Sequence, residues 1–277
     1  MAVASVARLR EADPMPIQSR PMVAIDNITM SFGDFTAVRD VDVQVGDGEF
    51  LAIVGPTGCG KSTILNAVAG LLTPSAGSIR IDDKPVNGVQ ESVGYLFQQD
   101  ALLPWKTALQ NVELGLRFRG MAQAEREEKA RAWLTKVGLA GFEHRYPHQL
   151  SGGQRKRVQM AQALIVEPKV ILMDEPFSAL DIHTRHLMQN ELLRLWQEDR
   201  RAVMLITHDL EEAIALGDRV VVLSSGPSSR VVESFPVRLE RPRNVAEIKL
   251  DQRFTDLYRD IWACLRGEVE KSYARQD

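Results

Sequence analysis

Hydrophobic positions change period several times along this chain, and each change marks an element. Val41, Val43 and Val45 alternate with polar residues, the period of a half-buried strand. Val23, Ile25 and Ile28 place an earlier strand over Met22 to Phe32. Phe50 to Val54 is continuously apolar instead, as a strand buried on both faces would be. A helical period follows: Ile64, Leu65, Val68, Leu71 and Leu72 predict one helix running through Leu72. Thr73 to Gly77 reads as a turn, then Ser78 to Asp82 and Val93 to Phe97 as short strands.

From about Thr107 to Val137 the texture is helical. Few residues are β-branched, and Ala130, Trp133, Leu134 and Val137 share one helix face. Glu125 with Lys129, and Glu127 with Arg131, are spaced as i,i+4 pairs on the opposite face. Lys169 to Met173 returns to a continuous apolar strand. Ala202 to Ile206 and Arg219 to Leu223 are further buried strands, each after a helical stretch. A Pro/Ser-rich connection (Gly226 to Ser229, then Pro236 and Pro242) leads to a last helix carrying Phe254, Leu257, Tyr258, Ile261 and Leu265. Alternating strands and helices predict an α/β fold, a parallel sheet with right-handed crossovers. The helical stretch is an insertion between its strands. No internal repeat is visible.

Composition narrows the setting. The chain has 277 residues, 44% of them hydrophobic, enough for one domain with a subdomain or for two domains. The net charge is −3, without the basic excess of a nucleic-acid binder. Cys59 and Cys264 are too few and too far apart for a disulfide framework, which points to a reduced cytosolic compartment. No apolar run approaches the ~20 residues of a membrane span. Arg8 and Arg10 are not followed by the apolar stretch of a secretory signal. Any membrane must therefore be reached through a partner. Residues 1–21, with Pro14, Pro16 and Pro21, read as a flexible tail.

Three motifs carry the chemistry. Gly55-Pro56-Thr57-Gly58-Cys59-Gly60-Lys61-Ser62-Thr63 fits G-x-x-x-x-G-K-[ST], and it lies between a predicted strand and a predicted helix. In that setting backbone N–H groups and a helix N-terminus cradle phosphate. Lys61 supplies charge to the outer phosphates, and the Ser62 hydroxyl can ligate Mg²⁺. The strand Val170 to Met173 ends in Asp174-Glu175, at the end of a parallel strand where ligands bind. Asp174 is placed to hold Mg²⁺, and Glu175 to act as general base on water. Leu150-Ser151-Gly152-Gly153-Gln154 opens a basic helical run and would by itself be only a second small anion site.

Together, these motifs resemble the ATP-binding cassette (ABC) ATPases, in which Leu150 to Gln154 is the signature. Phe97-Gln98 matches the family's Q-loop glutamine, Ser178-Ala179-Leu180-Asp181 its D-loop, and His208 its switch histidine. Phe32 matches the aromatic that stacks on adenine, with Phe35 a competing ring. All occur in family order over roughly residues 22–270. The resemblance implies a P-loop NTPase (RecA-like) core with an N-terminal antiparallel β subdomain, an inserted helical subdomain and a C-terminal helix. Residues 22–245 would be the ATPase domain, its helical subdomain about 100–155, and 246–277 a C-terminal extension. It implies ATP hydrolysis with Mg²⁺ held by Ser62, Gln98 and Asp174. Lys61, Gln98, Glu175 and His208 would be catalytic. Two copies would sandwich ATP head to tail, the signature of one closing on the γ-phosphate held by the other.

A single cassette without fused membrane spans, coiled coil or basic excess fits an importer subunit best. A soluble ABC ATPase of nucleic-acid maintenance or translation is the alternative. Phe97 to Trp105, Asp181 to Arg185 and Asn190 to Trp196 resemble the nitrate/sulfonate/taurine importer ATPases, a group that also serves thiamine precursors. That implies integral permease subunits, indirectly an extracytoplasmic solute-binding protein, and a peripheral position on the cytoplasmic membrane face. Two positions depart from the pattern: Gln162 stands where relatives usually carry arginine, and Lys156 where glutamine is common. Cys59, inside the phosphate loop, is expected to be shielded from thiol reagents by ATP. Trp105 either touches a partner or fills the junction between core and insertion. The pairs His144/His148 and His183/His186 read as solvated faces, and the aromatic stripe of the last helix as packing.

Overall fold

Strands β1 (Pro21–Phe32) and β2 (Phe35–Gly46) pair antiparallel across the tight turn at Gly33. The computed structural model describes residues 20–273, so the expected tail lies outside it except for Arg20 and Pro21, and Pro21 already opens β1. β3 (Phe50–Val54) runs into the phosphate loop and helix α1 (Lys61–Val68). β4 (Ala76–Ile81) and β5 (Lys84–Pro85) complete a four-stranded antiparallel sheet in the order β2-β1-β4-β5. β6 (Val93–Leu96) leads to the helical insertion: α2 (Ala108–Val112), α3 (Leu114–Phe118), α4 (Gln123–Lys136) and α5 (Gly152–Leu164). Then come β7 (Val170–Asp174), α6 (Ile182–Glu198), β8 (Ala202–Ile206), α7 (Leu210–Leu216), β9 (Arg219–Leu223), β10 (Val231–Pro236) and α8 (Gln252–Tyr273).

The second sheet has six strands in the order β10-β9-β3-β8-β7-β6. Five are parallel, as expected. β10 is an antiparallel edge strand inside the stretch read as connection. Its prolines and serines hid it. Only Val231, Val232 and Phe235 carry a strand signal, and an edge strand tolerates Pro236 at its end.

The large sheet separates two cores, because successive side chains leave opposite faces. Phe50, Ala52 and Val54 face the larger core, shared with the insertion and with α5 to α8. Leu51 and Ile53 face the other, shared with α1 and the antiparallel sheet. Phe254, Ile261 and Leu265 of α8 are buried in the larger core, so the stripe of the last helix is packing.

Two predicted helices end early. α1 stops at Val68, not Leu72, because Gly70 adopts φ +75° and closes a C-terminal cap: its N–H bonds Ala67 O and that of Leu71 bonds Asn66 O. A side chain at Gly70 would strike the Gly88 carbonyl, and Leu71 is left half-exposed. The run after Thr107 is three helices. Thr107 and Gln110 form a capping box that starts α2, and Gly120, at φ +76°, ends α3. Buried Asn111 ties the preceding loop down: its side chain accepts from Leu103 N and donates to Leu103, Lys106 and Thr107 carbonyls.

Candidate active site

β3, β8, β7 and β6 are consecutive in the sheet and parallel, so their carboxyl ends meet along one edge. The phosphate loop follows β3, His208 follows β8, Asp174 and Glu175 end β7, and Gln98 follows β6. Residues separated by up to about 150 positions in sequence thus become neighbours. A cleft of about 600 Å³ lies there, lined by Lys61, Ser62, Gln98, Glu175, His208 and both Phe32 and Phe35. The two aromatic rings are half-exposed and close the β1–β2 hairpin, so both candidates for stacking on a base are present.

The phosphate loop is built by close approach. Gly60 caps α1 at φ +91°, a conformation that L side chains avoid, and a Cβ there would overlap Val38. Lys61 is buried and folds back, its Nζ donating to the carbonyls of Gly55 at 2.9 Å and Pro56 at 3.0 Å. Ser62 Oγ donates to Asp174 Oδ1 at 3.1 Å. Burial raises the Asp174 pKa, Ser62 opposes that, and Glu175 adds to it.

Glu175 has a left-handed backbone, at φ +43°, and its carboxylate takes different partners from that of Asp174. That geometry is held on both sides: its N–H donates to Ile206 O at 2.9 Å, and Ser178 Oγ donates to its carbonyl at 3.0 Å. The carboxylate meets His208 Nδ1 at 2.9 Å, and Gln98 Nε2 donates to it at 3.4 Å. Gln98 thus meets Glu175, while Ser62 meets Asp174. Ser62 and Asp174 offer paired oxygen donors at the cleft. Mg²⁺ takes one or two such protein ligands beside phosphate oxygens and water, so these residues fit that ion without a dense acidic cluster.

Cys59 departs from its expected place beside the phosphates. Its backbone belongs to the loop, but its side chain is fully buried in the core under Gly55, and burial raises the thiol pKa. The thiol is sealed by protein before any nucleotide arrives, so ATP is not its shield.

The signature lies apart from the phosphate cleft. Ser151 caps α5, accepting from Gln154 N–H, while the Gln154 side chain accepts from Ser151 N–H. Gly152 packs on Leu180 of the D-loop, and a Cβ on Gly153 would crowd Thr184. Gly152 lines a second cavity of about 550 Å³, with Ser178, Ala179 and Leu180, that also reaches Gln98, Glu175 and His208.

Several links were not readable from sequence. Arg155 pairs with Asp100, Lys156 Nζ donates to Phe97 O, and Gln159 Nε2 to Gln99 O. These tie α5 to the Q-loop and give the unusual Lys156 a buried place there. Arg185 joins the D-loop carbonyl of Leu180 to Asp209, next to His208. Its position four residues after Asp181 is the only sequence hint. Gln162 lines a groove of about 420 Å³ between core and insertion, beside Gly94, Phe97, Ala101 and Phe118. Trp105 is 70% exposed, so it does not fill that junction. His148 stacks on Tyr146, and His186 lies 3.4 Å from Lys249 Nζ. Among the described residues, no helix is long and apolar enough to cross a membrane.

Comparison with known proteins agrees with this geometry. The ABC transporter family pattern matches residues 38–178. An ABC transporter ATP-binding protein of Methanocaldococcus jannaschii is 42% identical over 252 residues, 90% of this chain and 92% of that protein. The taurine import ATP-binding protein of Yersinia pestis is 42% identical over 244 residues, covering 87% and 95%. An ATP-binding cassette solved as a dimer in a post-hydrolysis state with ADP and Pi superposes with a TM-score of 0.69 at 36% identity, covering 79% of this chain and all of that one. Fold, motif order and relatives coincide: the chain belongs to the ABC transporter family and is an ATP-binding, ATP-hydrolysing subunit of it.

Proposed function

We propose that this subunit energises an importer: two copies close on ATP, and the closure drives uptake of a small solute through a separate membrane permease. The observation that carries it is the separation of two half-sites within one chain. The phosphate loop and the signature line different cavities that share Gln98, Glu175 and His208. A signature that meets the γ-phosphate must then come from a second copy. The dimeric relative supports this arrangement.

In the closed site, backbone N–H groups of the loop Gly55 to Thr63, in which Pro56 has none, hold the phosphates, and Lys61 leaves its carbonyl partners to reach the outer ones. Ser62 and Asp174, with Gln98 turned from Glu175, would hold Mg²⁺, which would supply charge neutralisation at the phosphates. Glu175 takes the proton of the attacking water, and His208 holds Glu175 and the γ-phosphate in line. Phe32 stacks on the base, with Phe35 beside it. Leu150 to Gln154 contribute the second anion site, and Ser178 to Asp181 carry closure between copies. Residues 22–245 form the ATPase unit, and 246–277 its extension.

The groove beside Phe118, itself 82% exposed, is the place for a permease segment, with exposed Trp105 on the same insertion. Its wall includes Gln159 and Gln162 of α5, so nucleotide state at Gln98 and permease position act on one helix. The subunit is then peripheral, on the cytoplasmic membrane face. The solute is a small anion of the nitrate or sulfonate type, taurine or a related compound, delivered by a solute-binding protein; the taurine import relatives support taurine among these.

A tagged Glu175→Gln variant, trapped with Mg-ATP and extracted from native membranes, tests the reading. Co-elution of a polytopic permease is expected. Elution alone, or with ribosomes or nucleic acid, would leave the ATPase standing and overturn the transport role.

A further inference from the structure

The phosphate loop is supported from below by the segment that follows β9. Gly55 packs against Leu223: a Cβ there would lie 3.1 Å from the Leu223 carbonyl. Gly58 and Cys59 pack against Gly226, whose own Cβ would lie 3.3 Å from the Gly58 carbonyl. Three residues on, Ser229 N–H donates to Ala37 O and its carbonyl accepts from Arg39 N–H, which fixes the segment to β2. β2 in turn presses Val38 on Gly60. The segment 223–229 therefore touches the loop at its start and its middle, and reaches its end through β2.

One buried carboxylate holds this segment from outside the nucleotide core. Glu268, near the end of α8, accepts from Ser225 N–H at 3.0 Å and from Ser225 Oγ at 3.5 Å. Both residues are buried. Lys271, one turn on, completes the pair at 2.5 Å. Burial works to raise the Glu268 pKa, but the bonds from Lys271 and Ser225 outweigh it and hold the group below its ordinary value. A charged acceptor on a buried backbone N–H is among the stronger hydrogen bonds in a protein.

We propose that Glu268 is a positioning residue for nucleotide binding: through Ser225 and Gly226 it holds the phosphate loop in the shape that receives ATP. The last helix is then part of the ATP site's support as well as core packing. A change that lifts α8, such as a partner binding it, would lower ATP affinity from more than one side chain away. By reciprocity, bound ATP must tighten the hold of Ser225 on Glu268. The inference rests on ATP binding and is independent of what the subunit transports.

Mg-ATP binding by calorimetry, steady-state kinetics and thermal melting of the unliganded protein, on wild type, Glu268→Ala and Glu268→Gln, test it. Glu268→Ala is expected to weaken ATP binding and raise KM about tenfold, with kcat within about twofold. Glu268→Gln keeps an oxygen acceptor for Ser225 and is expected to recover most of the affinity. Wild-type affinity in Glu268→Ala, whatever its melting temperature, overturns the proposal. Should that variant not fold, hydrogen exchange of the wild type decides. Mg-ATP is expected to slow exchange of the Ser225 amide together with the phosphate loop. Protection of the loop with Ser225 unchanged overturns it equally.

Discussion

His208 Nδ1 and Glu175 Oε2 lie 2.9 Å apart across the ends of two neighbouring strands. Glu175, whose backbone is left-handed, takes that partner while Asp174 takes Ser62. A base that removes a proton from water contributes about 10²–10⁴ in rate. Glu175→Gln keeps the shape and loses the base. ATP hydrolysis is expected to fall by about that factor with ATP affinity retained, read by phosphate release and by an ATP-dependent dimer on a sizing column. Wild-type turnover would remove Glu175 from the role.

The two cysteines separate burial from ligand protection. Cys59 is sealed beneath the phosphate loop, and Cys264 is partly exposed. A thiol reagent is expected to modify Cys264 and spare Cys59, equally with and without Mg-ATP, until the protein is denatured. Peptide mass mapping reads both sites. Rapid labelling of Cys59 that ATP suppresses would restore the nucleotide as its shield.

Arg243 ends α7. Its buried guanidinium donates to the carbonyls of Ile214, Ala215, Gly217 and Leu239. Burial, with Arg241 beside it, lowers its pKa to about 10, which leaves it charged at neutral pH. Arg243→Met would strand those carbonyls without donors. A loss of about 2–4 kcal/mol in unfolding free energy is expected by urea titration. A loss under about 0.5 kcal/mol would mean that water replaces the arginine.

Glu212 is a buried carboxyl that accepts from Gln189 Nε2 at 2.9 Å. Burial pushes its pKa up to about 6 from 4.5. Because the folded value is the higher one, its contribution is fully present below pH ~4.5 and is lost as pH rises through about 6. The loss is on the order of 2 kcal/mol. Glu212→Gln removes this titration. The stability of the variant relative to wild type is expected to rise by about that amount between pH 4.5 and 8. A pH-independent difference would place the Glu212 pKa at its ordinary value.

Local rules made much of the molecule readable in advance. The continuous apolar strands, the glycine loop leading into α1 and the Asp174-Glu175 end of β7 are short-range patterns whose chemistry needs those residues at that spacing. Element ends were less legible. Apolar period alone runs α1 through Leu72, because it cannot show that Gly70 must turn left-handed against the Gly88 carbonyl. β10 is hard to see in the sequence because an edge strand pairs on one side and needs little hydrophobic signal.

Other features exist only once strands are neighbours. Ser62 reaches Asp174, His208 reaches Glu175 and Arg155 reaches Asp100 because sheet order and α5 packing bring distant segments together. Cys59 shows the division at a single residue. Its place in the motif puts its backbone at the phosphate loop, whereas the path of that loop over β3 turns its thiol into the core. Motif spacing constrains a few adjacent residues, but side-chain direction and partner follow from the packing of the whole sheet.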